Sequence, residues 1–405
     1  MQLPEDFLQQ IRLVLGPERF ERYMLSFEEE APVSIRVNPA RSVTCPSADS
    51  VPWCAHTGCY LSVRPQFTFD PLLHAGCYYV QEAASMFLDE VLRQHLPQHR
   101  PLSFLDMCAA PGGKSTLIRS VLSEESILVS NEPVPKRSSI LFENMQKWGS
   151  ARSYVTSLYP KDLRKSHLLF DAILCDVPCS GEGMFRKDTA TIGEWSQQGV
   201  VRCQQLQREI VSEAWQCLRP GGLLIYSTCT FNIYENEENV CWILREFDAQ
   251  ALQVDVKAAW GITGCLLPGS DIPVCRFIPG ITRGEGLFMA AIRKGQSATG
   301  RGMTIDQITK SLDKMGAKAV SPLEREPMFT LDYTTAVSYL RGEAIILPPD
   351  VPRGLVTVGF MGQPLGQVKN IGSRANNLYP KEWRIKSTHI PDYPNVIHTT
   401  TNTTT

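Results

Sequence analysis

The sequence predicts an α/β fold, Rossmann-like, with a small mixed α+β cap before it and a β-rich domain after it. Three observations carry that prediction. The run Phe104-Leu105-Asp106-Met107 ends in small residues, Ala109 to Gly113, and opens a helix near Lys114. Apolar runs at Ile127–Glu132, Ser153–Thr156, Phe170–Pro178 and Gly221–Tyr226 then alternate with helical patterns, the order of a mostly parallel, doubly wound sheet. Beyond Lys294 the composition turns rich in Gly, Ser and Ala before a new set of short strands begins.

At 405 residues the chain has room for two or three domains. A hydrophobic fraction of 43% and a formal charge of −2 mark an ordinary globular protein, so any nucleic-acid surface must be a local patch. The first sixteen residues carry early acids and only short apolar runs, which excludes a signal peptide, and no stretch reaches membrane-spanning length. Thirteen cysteines with no Cys-x-x-Cys pair point to reduced thiols in a cytoplasmic protein rather than to disulfides or structural zinc.

Residues 1–69 read as the cap. Phe7, Ile11, Leu13 and Leu15, then Phe20, Tyr23 and Met24, predict two short helices, and Val33 to Asn38 alternates like a strand. Arg36 and Arg41 flank that strand's end, placed either to meet phosphate or, for Arg41 above all, to stand as solvated surface charges. The catalytic unit spans 70–294. Its first helix is expected from Val80 through Ala83, Met86, Phe87 and Leu88 to Val91, with Gln81, Glu82 and Ser85 at its start, either facing a ligand or capping the helix.

The turn after Phe104 is the chemical centre. Ala109, Ala110, Pro111, Gly112 and Gly113 leave room for a ligand at the backbone, and a helix N-terminus beside a strand end receives nucleoside cofactors. Cys108 stands where a Walker loop requires glycine, and no GxGxxG occurs. A strand, turn and helix with an acid at the strand end remain, the arrangement expected for S-adenosylmethionine. Glu132, 26 residues after Asp106, is placed to accept paired ribose hydroxyls.

Asp176-Val177-Pro178-Cys179 closes the fourth strand, and Ser227-Thr228-Cys229 closes the fifth. If those strands are neighbours, both thiols enter one crevice. A lone cysteine is ordinarily a small hydrophobe; two at strand ends beside a cofactor turn call for chemistry. The C5 carbon of a pyrimidine attacks a methyl donor poorly until a thiolate adds to C6. A base must then remove the C5 proton, and Asp176 is placed at the N3 edge of the ring.

Together, FLDMCAAPGGKS, ILCDVPCSGEGMFRKD and YSTCTFNIYENEENV resemble the Sun-type (Fmu-like) RNA cytosine-C5 methyltransferases over about residues 75–295. The resemblance implies Cys229 as the nucleophile, a choice that spacing alone leaves open, and Cys179 as the thiol that assists proton removal and release. It implies Asp176 at the base and Lys114 near the transferring centre. Asp106, Glu132 and the backbone of Cys108, Ala109, Ala110, Pro111, Gly112 and Gly113 would hold S-adenosylmethionine. The family's adenine-binding acid falls on Thr156–Pro160 here, so that contact passes to Asp162, or to Ser157 or a backbone carbonyl in its place.

Gly295–Gly302 reads as a linker and 303–390 as a compact β-rich unit. Lys369, Arg374, Lys381, Arg384 and Lys386 interleave with Tyr379 and Trp383, either a surface for phosphate and base stacking or a solvated basic face around buried aromatics. This unit resembles the C-terminal RNA-binding extension of bacterial small-subunit ribosomal-RNA methyltransferases of the same family. Residues 391–405, rich in Thr, are expected to be disordered. The expected function is cytosine-C5 methylation of small-subunit ribosomal RNA, with RNA the only partner required and a monomer sufficient. Alternatives are the same chemistry on transfer RNA, a non-catalytic RNA-binding assembly factor, and an unrelated methyltransferase acting on protein or small molecules.

Overall fold

Gly16 (φ 72°, ψ 170°) interrupts the helix Glu5–Leu25, and Pro17 starts its second half, so two helical segments form as the apolar spacing predicts. Phe7 and Tyr23 bury their rings against Phe185 and Phe231, at centroid separations of 5.0 Å and 5.3 Å. These two phenylalanines follow the Cys179 and Cys229 turns, so the first helix backs the loops that bear the thiols. The structure, a computed structural model, describes residues 3–41, 43–97, 99–296, 303–323, 328–387, 390, 391, 394, 396 and 397.

The cap sheet places β1 (Val33–Val37) between β2 (Gly58–Leu61) and β3 (Tyr78–Val80), both antiparallel to it. Strand β3 lies past residue 69 and occupies the start of the expected helix. Tyr78, Tyr79 and Val80 favour an extended backbone, Val80 pairs with Ile35, and the Ser34 hydroxyl donates to the Gln81 carbonyl at 2.6 Å. The helix proper begins only at Leu88, after a turn of 3-10 helix at Ala84–Phe87.

In the central sheet β4 (Ser103–Asp106), β5 (Ile127–Asn131), β6 (Ser153–Thr156), β7 (Phe170–Asp176) and β8 (Leu218–Thr228) run parallel. Antiparallel additions follow: β9 (Ala249–Leu252), β10 (Cys275–Phe277), β11 (Leu287–Lys294) and β12 (Lys318–Ala319). The order β10-β11-β8-β7-β4-β5-β6-β12 reverses direction between β4 and β7. At such a switch point the crevice outside the strand ends is open to a ligand. Asp106 and Asp176 end those two strands. Phe104 and Leu105 enter two different apolar cores, because helices cover both faces of a parallel sheet.

The unit expected at 303–390 divides. Ile308 and Leu312, on the helix Ile305–Lys314, are buried in the central domain's core with Leu163 and Leu168. Lys318 pairs with Val155 of β6, so this segment completes the central sheet. The β-rich domain proper comprises β13 (Met328–Leu331), β14 (Gly354–Phe360), β15 (Gln363–Asn370) and β16 (Ala375–Asn377). Met361 and Gly362, both at positive φ, turn β14 into β15. Val337, Val358 and Val368 share one core with Ile35 and Tyr78 of the cap, which fixes this domain against the cap sheet.

Several terminal expectations fall on residues outside the described set, namely 297–302 of the linker and 398–405 of the tail. Ile397 of that tail is described: it is buried, and its N–H donates to Asp70 Oδ2 at 2.8 Å.

Candidate active site

The crevice at the switch point is a cavity of about 820 Å³, with Asp106, Cys108 to Pro111, Gly113, Lys114 and Asp176 in its wall. The turn that forms it is pinned from behind. Ala109 N–H donates to the Asn131 carbonyl at 2.8 Å, and Asn144 Nδ2 to the Pro111 carbonyl at 2.8 Å. Gly112 has φ 117°, a conformation natural to glycine. A Cβ on Gly113 would stand 3.2 Å from the Tyr79 ring.

Asp106 is fully buried and accepts the Ser115 hydroxyl through Oδ2 at 2.6 Å. Its Oδ1 has no hydrogen-bond partner among the described residues. Burial pushes this carboxyl up to about 7, against the opposing pull of Ser115. Glu132 is buried behind the turn, accepting Val134 N–H at 3.0 Å and facing Arg137 at 3.3 Å; it is not part of the cavity wall. Asp162 lies at the surface, bonded to Lys165 at 3.2 Å, and is not in the wall either.

Gln81, Glu82 and Ser85 all reach the cavity. Glu82 also caps locally, since its Oε2 accepts Ser85 N–H at 3.1 Å and its Oε1 accepts Glu285 N–H at 2.8 Å. Lys114 Nζ donates to Asp176 Oδ2 at 2.8 Å. Burial works to lower the Lys114 pKa, but the adjacent Asp176 carboxylate overrides it and holds the ammonium above its ordinary value.

Strands β7 and β8 are indeed neighbours, with Asp176 opposite Ser227, and they bring Cys179 Sγ to 3.2 Å from Cys229 Sγ. Both thiols are half-buried, and neither is in the wall of the large cavity. Hydrogen bonding to Cys229, reinforced by burial, raises the Cys179 thiol well above its ordinary value. The two sulfurs stand within hydrogen-bonding distance, and either can donate to the other. Gly183 N–H donates to the Cys229 carbonyl at 2.8 Å, and a Cβ on Gly183 would stand 2.7 Å from that oxygen.

Sequence reasoning missed the buried polar network beneath these loops. Asn232 Nδ2 lies 3.0 Å from Glu182 Oε1 and 2.7 Å from Glu235 Oε1. Glu235 Oε2 accepts Ser180 N–H at 3.0 Å and Gln207 Nε2 at 2.7 Å. Glu182 accepts the N–H groups of Phe231 and Asn232 at 2.8 Å and 2.9 Å. The signal was available: Asn232, Glu235, Asn236 and Asn239 follow helical spacing on a face where apolar residues would be expected. Arg186 and Lys187, also in the cavity wall, were quoted within their motif and given no role.

The expected phosphate contacts at Arg36 and Arg41 are not found. Arg36 is 1% exposed; it donates to Gln81 Oε1 at 2.7 Å and Thr116 Oγ1 at 2.6 Å, and lies 4.5 Å from the Trp148 ring centroid. Arg41 is also buried and donates to the Lys147 carbonyl at 3.2 Å. A five-donor guanidinium ties the cap to the core where three chain segments meet. Tyr379, expected on the stacking surface, is buried as well.

Comparison with known proteins gives a consistent result along the whole chain. Residues 93–293 match the family described as 16S rRNA methyltransferase RsmB/F. Residues 3–83 match the N-terminal domain of 16S rRNA methyltransferase RsmF, and 326–385 its PUA domain. The ribosomal RNA small subunit methyltransferase F of Salmonella heidelberg is 31% identical over 367 residues, 85% of this chain and 73% of that protein. The chain belongs to the RsmF family. The Pectobacterium atrosepticum relative of the same name is also 31% identical, with 72% of this chain matched to 63% of that protein.

Among solved structures, a methyltransferase homolog protein from Pyrococcus horikoshii superposes with a TM-score of 0.61 at 25% identity, covering 72% of this chain and 95% of that one. NSun6 from the same organism, solved with SFG, shares the fold at a TM-score of 0.58 and 19% identity, covering 72% and 98%. S-adenosylmethionine is the cofactor of this RsmF-family chain. The residues fit it: Asp106 Oδ1 is a buried acceptor without a donor, and the crowding at Gly113 leaves the backbone bare beside the cavity. Among the described residues no helix is long and apolar enough to cross a membrane.

Proposed function

We propose that this RsmF-family chain methylates C5 of a cytosine in small-subunit ribosomal RNA through a covalent bond between Cys229 Sγ and C6. The observation that carries the reading is the 3.2 Å approach of two thiols at paired strand ends, beside the Lys114–Asp176 pair in the cavity wall. S-adenosylmethionine, when bound, supplies an electrophilic sulfonium methyl. Asp106 and the Cys108–Gly113 backbone would hold it, with Glu132 as acceptor for the ribose hydroxyls once it turns from Val134 N–H and Arg137, and Asp162 as acceptor for the adenine amino group once that carboxylate turns from Lys165.

Cys229, as the thiolate, adds to C6, and the ring's electron pair shifts to C5 and makes it nucleophilic. Asp176 hydrogen-bonds the N3 edge and stabilises the adduct, and Lys114 keeps a fixed positive charge beside that carboxylate. After C5 takes the methyl, Cys179, no longer hydrogen-bonded to a free Cys229 and acting as a thiolate, accepts the C5 proton. The electrons of that C–H bond re-form the C5–C6 double bond, and the Cys229–C6 bond breaks. Glu235, Asn232 and Glu182 hold both loops in register.

The test is denaturing gel mobility of Cys179→Ala after incubation with small-subunit ribosomal RNA and S-adenosylmethionine. A denaturant-resistant RNA–protein band that disappears in Cys179→Ala/Cys229→Ala supports the mechanism. No band, together with RNA binding but no methylation by the unaltered protein, would favour a non-catalytic binding factor.

A further inference from the structure

A second cavity of about 650 Å³ lies on the seam where all three parts of the chain meet. The cap supplies Arg41, the core supplies Phe142, Lys147 and Lys318, and the PUA domain supplies Tyr379 and Trp383. Lys147 Nζ stands 5.8 Å from the Trp383 ring centroid, and Lys318 Nζ 5.4 Å from that of Phe142. These three cations face a single acid of the wall, Glu382. Aromatic faces beside cations suit a nucleobase with its phosphate.

A third cavity lies between this one and the crevice and shares wall residues with each. It is smaller, about 320 Å³, and has Tyr79, Val80 and Lys147 in its wall. Tyr79 and Val80 also wall the catalytic cavity, and Lys147 also walls the seam cavity. The three therefore share wall residues in succession, a series of neighbouring cavities. Because cap and PUA domain share one apolar core, their spacing along the series is fixed. Lys147 is already paired with Glu143 at 2.5 Å, whereas Lys318 is exposed and has no ion pair among the described residues.

We propose that the series is a track for single-stranded RNA. With the target base at Cys229, beside the crevice, the strand passes Tyr79 and seats a second unpaired nucleotide in the seam cavity. Its base stacks on Trp383, and its phosphate meets Lys318. This rests on the RNA-methylating reading above and names a second contact for the same substrate.

The experiment measures binding of a small-subunit ribosomal RNA transcript, and its methylation, by the full chain and by Lys318→Glu and Trp383→Leu. Each variant is expected to bind RNA about tenfold more weakly, with S-adenosylmethionine affinity unchanged. Lys318→Glu should also lower the salt slope of binding by about one. Both variants binding and methylating like the unaltered chain would overturn the track while leaving the proposed reaction standing. An unaltered chain that neither binds nor methylates the transcript would overturn both. Should Trp383→Leu fail to fold, ultraviolet crosslinking of the unaltered chain decides together with Lys318→Glu. A crosslink on the peptide bearing Trp383 supports the track, and its absence with normal Lys318→Glu binding overturns it.

Discussion

Cys179 and Cys229 sit fifty residues apart in sequence, yet their sulfurs stand 3.2 Å apart because β7 and β8 pair in parallel and both turns leave the sheet on the same side. Cys229→Ser should lose methyl transfer by at least about 10³-fold, since a hydroxyl replaces the nucleophile. S-adenosylmethionine affinity, measured by calorimetry, should be retained; its loss would place Cys229 in the cofactor site instead.

Gly183 sets the height of the Cys229 loop. With only 2.7 Å between a new Cβ and the Cys229 carbonyl, Gly183→Ala must displace that backbone. Single-turnover methylation should fall at least about tenfold, as expected for a small misplacement of reacting groups, and the unfolding midpoint should fall as well, since the new Cβ also stands 2.9 Å from the Gly286 backbone.

Lys114 depends on Asp176 for its charge, because burial alone would lower its pKa. Asp176→Asn removes both the base contact and the counter-charge. Transfer should drop by about 10²–10³, and the pH–rate profile should gain a titration on its alkaline side as Lys114 loses its proton earlier. An unchanged profile would show that Lys114 does not feel Asp176.

Burial pushes two carboxyls near the site, Asp106 and Glu235, up to about 7. The folded chain keeps these protons to about pH 7, while unfolded carboxyls lose theirs near about pH 4. Unfolding therefore releases protons across that window, and stability contributed by these groups falls as pH rises through it. Urea midpoints at pH 5.5 and 7.5 should differ less in Glu235→Gln than in the unaltered chain. Asp106 adds a binding effect: S-adenosylmethionine should bind more tightly as the pH rises past 7 and the carboxylate forms, and Asp106→Asn should abolish that dependence.

Arg36 separates a structural role from an RNA-binding one. Arg36→Ala leaves Gln81 and Thr116 buried without their charged partner and should cost about 3 kcal/mol in chemical denaturation. The salt slope of RNA binding should not change. A slope reduced by about one would restore Arg36 as a phosphate contact.

Much was legible in the linear chain because its signals are local. The small residues from Ala109 to Gly113, the acids at Asp106 and Glu132, and alternating strand and helix patterns report on their own neighbourhoods. What failed involved competition between distant segments. Tyr78 to Val80 read as the approach to a helix, but β1 offered a strand partner. Ile305 to Ala319 read as part of the last domain, yet Ile308 and Leu312 found their burial beneath the central sheet.

The sequence by itself determined the fold class, the cofactor turn and the residue types available for chemistry, since backbone preference and apolar period are properties of short stretches. Only the tertiary structure decided which of them meet. It brought Cys179 to Cys229, joined Lys114 to Asp176, and buried Arg36 where a phosphate contact was expected. Strand order and domain packing set those distances, and both follow from the burial of apolar surface across the whole chain, which no single stretch encodes.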